Sequence, residues 1–467
     1  MECATVNTSG QQPLRLALVP VVDTIVARAT PAGHGGIGIV RVSGPLVPTL
    51  VVAVIGALPE PGRAKLCRFL DRAGAPIDAG LALYFAAPRS FTGEHVLELH
   101  GHGGPVVMAL LVERCLELGA RAARPGEFSE RAFVNDKLDL AQAEAVADLI
   151  GAGSAAAARA ALNSLSGEFS AEVARLEAAL IELRSYVEAS IDFADEDLEL
   201  LGEGGIEQRL ARLELDFSAL EAAAEQGRLL HDGCTLVLAG RPNAGKSSLL
   251  NALAGHDAAI VTPIPGTTRD VLRERIDLDG LPLTLLDTAG LREGPDEIEA
   301  EGIRRAEREM TRADRVLFVV DGADPGAIEG LGRDLAALPV AAAVTLLVNK
   351  ADVARAAQLP VAAEQAVIHV SARTGAGLDT LRAHLKDVLG YRPPEAGAFS
   401  ARRRHVDALR RAHAHATLAR TQLCARTGTE LIAEELKLAH DALGEITGRF
   451  TSDDLLGRIF ASFCIGK

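Results

Sequence analysis

At 467 residues the chain has length for about three domains, and its 48% hydrophobic residues can fill a core in each. Its 48 Lys and Arg against 63 Asp and Glu leave a formal net charge of −15, which excludes a protein that grips nucleic acid by general electrostatics but leaves a local patch or a partner open. Six cysteines lie scattered with no Cys-x-x-Cys pair, a spacing that suits neither a structural zinc site nor a disulfide framework and points to a reducing cytosol.

Residues 1–22 read as a ragged extension. Within them 14–22 is apolar, but it is too short to span a bilayer and lacks a basic flank and a small-residue cleavage site. Over 23–125, β-rich runs at 24–29, 37–42, 80–85 and 95–100 alternate with Gly-rich turns and helical stretches near 45–55 and 104–118, which predicts a compact α+β domain. From 126 to 230 strand signals vanish. Leu176, Leu180, Leu183 and Val187 recur at helical spacing, and the Ala run 155–161 favours helix over disorder. Residues 231–392 alternate apolar strands (236–239, 283–286, 316–320, 345–348, 367–370) with helices, the mark of a largely parallel sheet. The run 271–278 followed by Gly280 predicts one antiparallel edge hairpin, as in Ras-like folds. After Pro393 and Pro394 the chain is helical again through 393–467. The fold class is therefore α/β + α, a Ras-like α/β domain inserted into a helical domain and preceded by an α+β domain.

The strand at 236–239 runs into Gly240-Arg-Pro-Asn-Ala-Gly-Lys-Ser247, and helix-forming residues follow. That is the context a phosphate-binding loop requires. Backbone N–H groups of Asn243, Ala244, Gly245, Lys246, Ser247 and Ser248 can point at a β-phosphate, helped by the positive end of the next helix. Lys246 is expected to bridge β- and γ-oxygens, and the Ser247 hydroxyl to hold Mg²⁺. Asp287 is placed to reach that metal through water, and in the same Asp287-Thr288-Ala289-Gly290 motif the Gly290 N–H is placed to meet a γ-phosphate. Between these motifs Gly266-Thr-Thr-Arg-Asp270 should offer the metal a threonine. In Asn349-Lys350-Ala351-Asp352 the carboxylate can accept from the guanine N1–H and N2–H₂, which adenine cannot supply, so GTP is favoured over ATP. Ser371-Ala372-Arg373 would supply a backbone N–H to guanine O6.

One expected group is missing. Ras-like enzymes place a water-orienting Gln directly after Asp-x-x-Gly, where this chain has Leu291. Arg292 and the acidic stretch from Glu293 to Glu299 are the candidates to replace it, against the plainer reading of a solvated switch segment.

From Asp23 onward the chain resembles the MnmE (TrmE) family of tRNA-modifying GTPases. The resemblance lies in Thr24-Ile-Val-Ala-Arg-Ala-Thr-Pro31, Gly101-His-Gly-Gly-Pro105, Arg124-Pro-Gly-Glu-Phe-Ser-Glu-Arg-Ala-Phe133, Asn135-Asp-Lys-Leu-Asp-Leu-Ala-Gln-Ala-Glu144 and the terminal Phe463-Cys-Ile-Gly-Lys467. It implies a homodimer whose nucleotide domains meet in a potassium-dependent way. Asn243 would hold K⁺ together with Thr262, Ile264 and Thr267 of the nucleotide-binding loop Thr262-Pro263-Ile264-Pro265-Gly266-Thr267, and Thr268 would contact Mg²⁺. Glu299 would orient the attacking water with Arg292 nearby, which makes Leu291 the expected residue. The amino-terminal domain resembles a folate-binding and dimerisation module, with Arg41, Glu98, Lys137 and Lys467 lining a site for a tetrahydrofolate derivative (5-formyl or methylene). Cys464 becomes a catalytic candidate. The implied partners are an MnmG-like FAD/NADH protein, in a heterotetramer, and tRNA through that complex, with no membrane. The implied reaction converts C5 of the wobble uridine (position 34) of certain tRNAs to an aminomethyl or carboxymethylaminomethyl form, with GTP hydrolysis driving rearrangement.

Read without the family, several of these residues have plainer roles. Glu98 would be a solvent-facing strand residue, His100 and His102 part of a Gly-rich turn rather than a metal pair, and Cys464 a small buried hydrophobe. The last four residues fit a prenylation box only formally, with no polybasic run upstream. Two other classes share the nucleotide motifs: a ribosome-assembly switch of the Era/Der type, and a folate-binding structural module with an inherited GTPase. The flanks favour the enzyme over the first, and intact Lys246, Asp287 and Glu299 favour it over the second.

Overall fold

A computed structural model describes residues 23–192, 203–256, 273–287, 308–338, 343–354, 365–425, 428–449, 453–464 and 466. The chain divides into two compact units, one formed by the residues up to 147 together with 441–467, the other by 148–440.

In the first unit β1 (Ile25–Arg28), β2 (Gly35–Ser43), β3 (Lys65–Leu70), β4 (Pro76–Phe85), β5 (Val96–Gly103) and β6 (Arg121–Ala122) make one sheet in the order β3-β4-β5-β2-β1-β6. All pairs are antiparallel except β1 with β6. Period-two alternation sends Val40, Val42, Leu97 and Leu99 inward. There they meet Leu50 and Val54 of α1 (Val47–Ile55) and Met108 and Leu111 of α2 (Pro105–Glu117). The intervening Arg41 and Glu98 must then face away from this core, and the register sets them directly opposite each other. Beyond the sheet lie α3 (Glu127–Val134) and α4 (Leu140–Gly151). Phe133 and Leu140 pack with Phe460 of α13 (Asp453–Ala461) and with Phe463.

In the second unit α5 (Ala155–Leu165), α6 (Glu168–Asp192), α7 (Glu203–Asp232) and α11 (Arg403–Ala425) supply the helical part. The predicted stripe on α6 is buried: Leu176, Leu180, Leu183 and Val187 are at most 2% exposed. The sheet of this unit runs β12-β11-β10-β7-β9-β8, composed of β7 (Cys234–Ala239), β8 (Arg273–Leu278), β9 (Leu281–Asp287), β10 (Arg315–Asp321), β11 (Val344–Asn349) and β12 (Val367–His369). Every pair is parallel except the edge hairpin β8–β9. Leu236 and Leu238 of β7 point to one face, with Leu249 and Leu253 of α8 (Lys246–His256) and Leu381 of α10 (Leu378–Val388). Val237 and Ala239 point to the other face, with Leu331 of α9 (Pro325–Ala336). Burial on both faces explains why these strands read as unbroken apolar runs. The remaining helix, α12, spans Thr429–Thr447. No helix among the described residues is long and apolar enough to cross a membrane.

Candidate functional site

The carboxyl ends of β7, β9, β10 and β11 face the same way, as parallel strands require, and the loops leaving them gather the predicted nucleotide residues. β7 ends at Gly240, whose φ of 135° is open only to glycine and whose missing Cβ leaves room for the Val319 carbonyl. Asn243 sits in the left-handed region at φ 62°, turning the loop so that Ala244 and Gly245 lead into Lys246, Ser247 and Ser248 of α8. Lys246 is only 6% exposed, and its ammonium donates to the carbonyl oxygens of Gly240 and Arg241, each at 3.0 Å. The Ser247 hydroxyl donates to the Asp287 carboxylate at 3.1 Å, so the two oxygens expected near Mg²⁺ stand side by side at the loop and at the end of β9. Hard oxygen donors of this kind suit that ion.

Asn349 joins two of the loops. It is 2% exposed; its amide N–H₂ donates to the Ala244 carbonyl at 3.0 Å and its amide oxygen accepts from the Ala372 N–H at 3.1 Å. The phosphate loop and the 371–373 loop are thus held by one side chain. Lys350, at φ 62°, pairs with Asp321 at 2.5 Å, and the Ala351 N–H donates to Val370. Asp352 accepts from the Ser371 hydroxyl at 2.7 Å and pairs with Arg373. The Ser371 hydrogen bond, then that from Arg373, hold the Asp352 carboxyl below its ordinary range, so it is ionised and acceptor-only.

Thr262, Pro263, Ile264, Pro265, Gly266, Thr267, Thr268, Thr288, Ala289, Gly290, Arg292, Glu299 and Lys467 lie outside the described residues.

In the first unit Arg41 pairs with Glu98 at 2.8 Å, and His100 also reaches Glu98 at 3.2 Å. The Arg41 guanidinium lies 5.7 Å from the ring centres of both Phe91 and Phe128. Glu98 is therefore partly buried in an ion pair with a guanidinium that itself lies by two aromatic rings, rather than simply solvent-facing. A guanidinium, a carboxylate and ring faces suit a ligand that has an acidic tail and a flat hydrogen-bonding ring. Lys137 donates to the Pro88 carbonyl at 3.1 Å, on the same connection between β4 and β5 that carries Phe91. His102 pairs with Asp78 at 2.8 Å, so the two histidines serve different carboxylates. Cys464 is exposed while its neighbour Phe463 is buried, which removes it from the core; its carbonyl accepts from the Gly126 N–H at 3.3 Å.

Sequence reasoning missed the group that fixes α3. Glu127, 1% exposed, accepts from Arg121 and from the Arg124 N–H at 2.7 Å. Arg131, 4% exposed, spans Asp23 at 2.7 Å, Glu94 at 3.0 Å and Glu127 at 3.3 Å. Burial raises the Glu127 pKa, but the Arg121 and Arg124 hydrogen bonds outweigh it and bring it to about 2. The available signal was the density of charge in Arg124-Pro-Gly-Glu-Phe-Ser-Glu-Arg131 beside a predicted core.

Residues 24–137 match the family model for the GTP-binding protein TrmE N-terminus, and residues 140–464 match that for the MnmE helical domain. A curated tRNA modification GTPase MnmE of Pectobacterium carotovorum subsp. carotovorum (strain PC1) is 56% identical over 450 residues, covering 95% of this chain and 99% of the relative. Among solved structures, the G domain of the T. maritima FeoB iron transporter is 26% identical, over 33% of this chain and 98% of its own, with a TM-score of 0.25. A variant of Aquifex aeolicus Era bound to GDP and aluminium fluoride is 25% identical, over 39% of this chain and 66% of its own, also at 0.25. The two structural likenesses are too low in TM-score to add to what the family models and the relative establish.

Proposed function

The chain belongs to the MnmE family of tRNA modification GTPases, and on that premise we propose that it hydrolyses GTP in a potassium-dependent way to drive a change at C5 of the wobble uridine of certain tRNAs. The observation that supports this most is the Asn349 tie, which brings a phosphate-reading loop and a guanine-reading loop to one end of a parallel sheet. Lys246 exchanges its two backbone carbonyls for β- and γ-phosphate oxygens when nucleotide binds. Asp352 accepts from the guanine edge, and the Ser371-Ala372-Arg373 backbone donates to its O6.

Ser247 and Asp287 fit Mg²⁺, with Thr268 completing its protein contacts. Asn243, with Thr262, Ile264 and Thr267, is assigned to K⁺. Bound there, these ions supply positive charge where phosphate oxygens gain negative charge. Glu299 orients the attacking water, and Arg292 assists at the same switch. The nucleotide domain, 231–392, is set between helical segments 126–230 and 393–467, so its state is passed to helices on both sides. Residues 441–467 of the second segment cluster with the amino-terminal unit.

Arg41, Glu98, Lys137 and Lys467 would hold a tetrahydrofolate derivative, which would supply the one-carbon unit for uridine, with Cys464 at the same site. The working assembly is a cytoplasmic homodimer joined to an MnmG-like FAD/NADH protein, which carries most of the tRNA contact in keeping with the net charge of −15.

The test is the nucleoside composition of tRNA from cells lacking this gene, restored with the wild-type chain, Arg41→Ala or Lys246→Ala. Loss of the C5-substituted wobble uridine, recovered only by the wild-type chain, is expected. An unchanged nucleoside profile in the deletion sinks the pathway.

A further inference from the structure

We propose that Arg241 and Asp334 form a clamp that shapes the phosphate loop, and so act as positioning residues for nucleotide binding; this rests on the assignment of 240–248 to the nucleotide phosphates. Arg241 is the second residue of that loop, yet its side chain turns away from the phosphate side and onto α9. Its Nε donates to Asp334 Oδ2 at 2.6 Å, one Nη to Asp334 Oδ1 at 3.3 Å and the other Nη to the Gly326 carbonyl at 3.1 Å. Such a planar fork fixes orientation as well as position. The far end is anchored, because α9 buries Ala327 and Leu331 against the sheet and Asp324 caps its first turn at 2.9 Å.

Two further observations tie the clamp to the loop's chemistry. The Arg241 carbonyl is one of the two oxygens that hold the Lys246 ammonium, so the clamped residue is also the one that stores the phosphate-binding lysine. Gly330, buried inside α9, lies beneath the guanidinium, and a Cβ there would overlap one of its Nη atoms and crowd its Cζ. A glycine inside a helix is less favourable than alanine. Gly330 thus gives up helix stability at a place where a methyl group would displace Arg241. Gly332, two residues on, has nothing within 4 Å of the corresponding position.

As a stabiliser the ion pair is weak. Its side chains are 42% and 28% exposed, and water screens an ion pair at that exposure. Its effect is on loop shape: an unclamped loop must be ordered by the nucleotide itself, which lowers affinity for GDP and GTP alike. Such uniform binding appears in KM and not in kcat.

The experiment titrates the wild-type chain, Asp334→Asn, Gly330→Ala and Gly332→Ala with a fluorescent N-methylanthraniloyl GDP, and measures KM and kcat for GTP and the unfolding midpoint of each. Asp334→Asn and Gly330→Ala should each weaken binding about tenfold, raise KM in proportion and leave kcat unchanged. Gly330→Ala should do so with an unfolding midpoint no lower than wild type, and Gly332→Ala should bind as wild type. Binding by both clamp variants within about twofold of wild type would overturn the proposal. So would an equal loss in Gly332→Ala, or a loss that only tracks a fall in the unfolding midpoint. A wild-type chain that binds no nucleotide would instead remove the assignment on which the clamp depends.

Discussion

The Asp352 carboxylate is already occupied on both oxygens, by the Ser371 hydroxyl at 2.7 Å and by Arg373, before any base is considered. Those contacts keep the group ionised, so in the proposed role it would accept from guanine N1–H and N2–H₂ without first losing a proton. Asp352→Asn turns one acceptor into a donor. Affinity for GTP should fall about a hundredfold or more, while xanthosine triphosphate, with a carbonyl at C2, should bind better than GTP; competition titrations of the two nucleotides check this. At this scale the sequence was informative wherever a motif concentrates its chemistry, as around Lys246 and Asp352. It was silent on Arg241 with Asp334, because 93 residues separate two groups that only the fold brings together.

At the scale of elements, the β8–β9 hairpin turns through Asp279 and Gly280, both left-handed at φ 52° and 101°, which is the Asp-Gly signature of a tight hairpin. The turn is held from outside the sheet. The Ser154 hydroxyl accepts from the Ala157 N–H at 3.0 Å as the cap of α5 and donates to the Gly280 carbonyl at 2.7 Å. The Tyr391 hydroxyl donates to the Asp279 carbonyl at 3.1 Å, and Lys386 pairs with Asp279 at 2.5 Å. One serine thus serves a helix start and the far end of the strand that finishes at Asp287. Ser154→Ala should cost about 2 kcal/mol, a cap and a buried-side hydrogen bond lost together, read as a lowered denaturant midpoint with an unchanged slope. Elements with a strong period were legible: α6 by its leucine stripe, β7 and β10 by unbroken apolar runs. β3 was not, because Leu66 on this edge strand is 77% exposed and its pairing with β4, not its own pattern, makes it a strand. β6 is two residues long and carries no pattern to read.

For the whole molecule, the two units lose stability at opposite ends of the pH scale. In the second unit His231 pairs with Asp148 at 3.0 Å and with Asp232 at 2.7 Å, and Arg402 also holds Asp148 at 2.5 Å. His231 and Asp232 sit where the chain passes from α7 to β7, Arg402 where it returns to α11, and Asp148 on α4. Burial lowers the His231 pKa, but the hydrogen bonds to Asp148 and Asp232 outweigh it and carry it up to about 9. A pKa raised in the folded state means the contribution is complete below the ordinary value near 6.5 and is lost as pH rises through about 9. With a ring 26% exposed, the loss is on the order of 2 kcal/mol. The unfolding midpoint should fall across that window in the wild-type chain and stay flat in His231→Gln. Glu127 in the first unit has the opposite sign: its contribution is present above the ordinary value near 4.5 and is lost as pH falls toward about 2. The His231 network was not visible in the sequence, since Asp148 and Arg402 are brought together across the inserted domain.

The central claim is that this family member uses potassium where other GTPases use an arginine finger, to offset charge on the phosphates. The direct measurement is steady-state GTP hydrolysis in KCl against NaCl at equal ionic strength, for the wild-type chain and for Asn243→Ala. Hydrolysis at least about tenfold faster in KCl, with the advantage abolished in Asn243→Ala, is the expected result. Equal rates in the two salts, or a potassium effect that survives in Asn243→Ala, contradicts it.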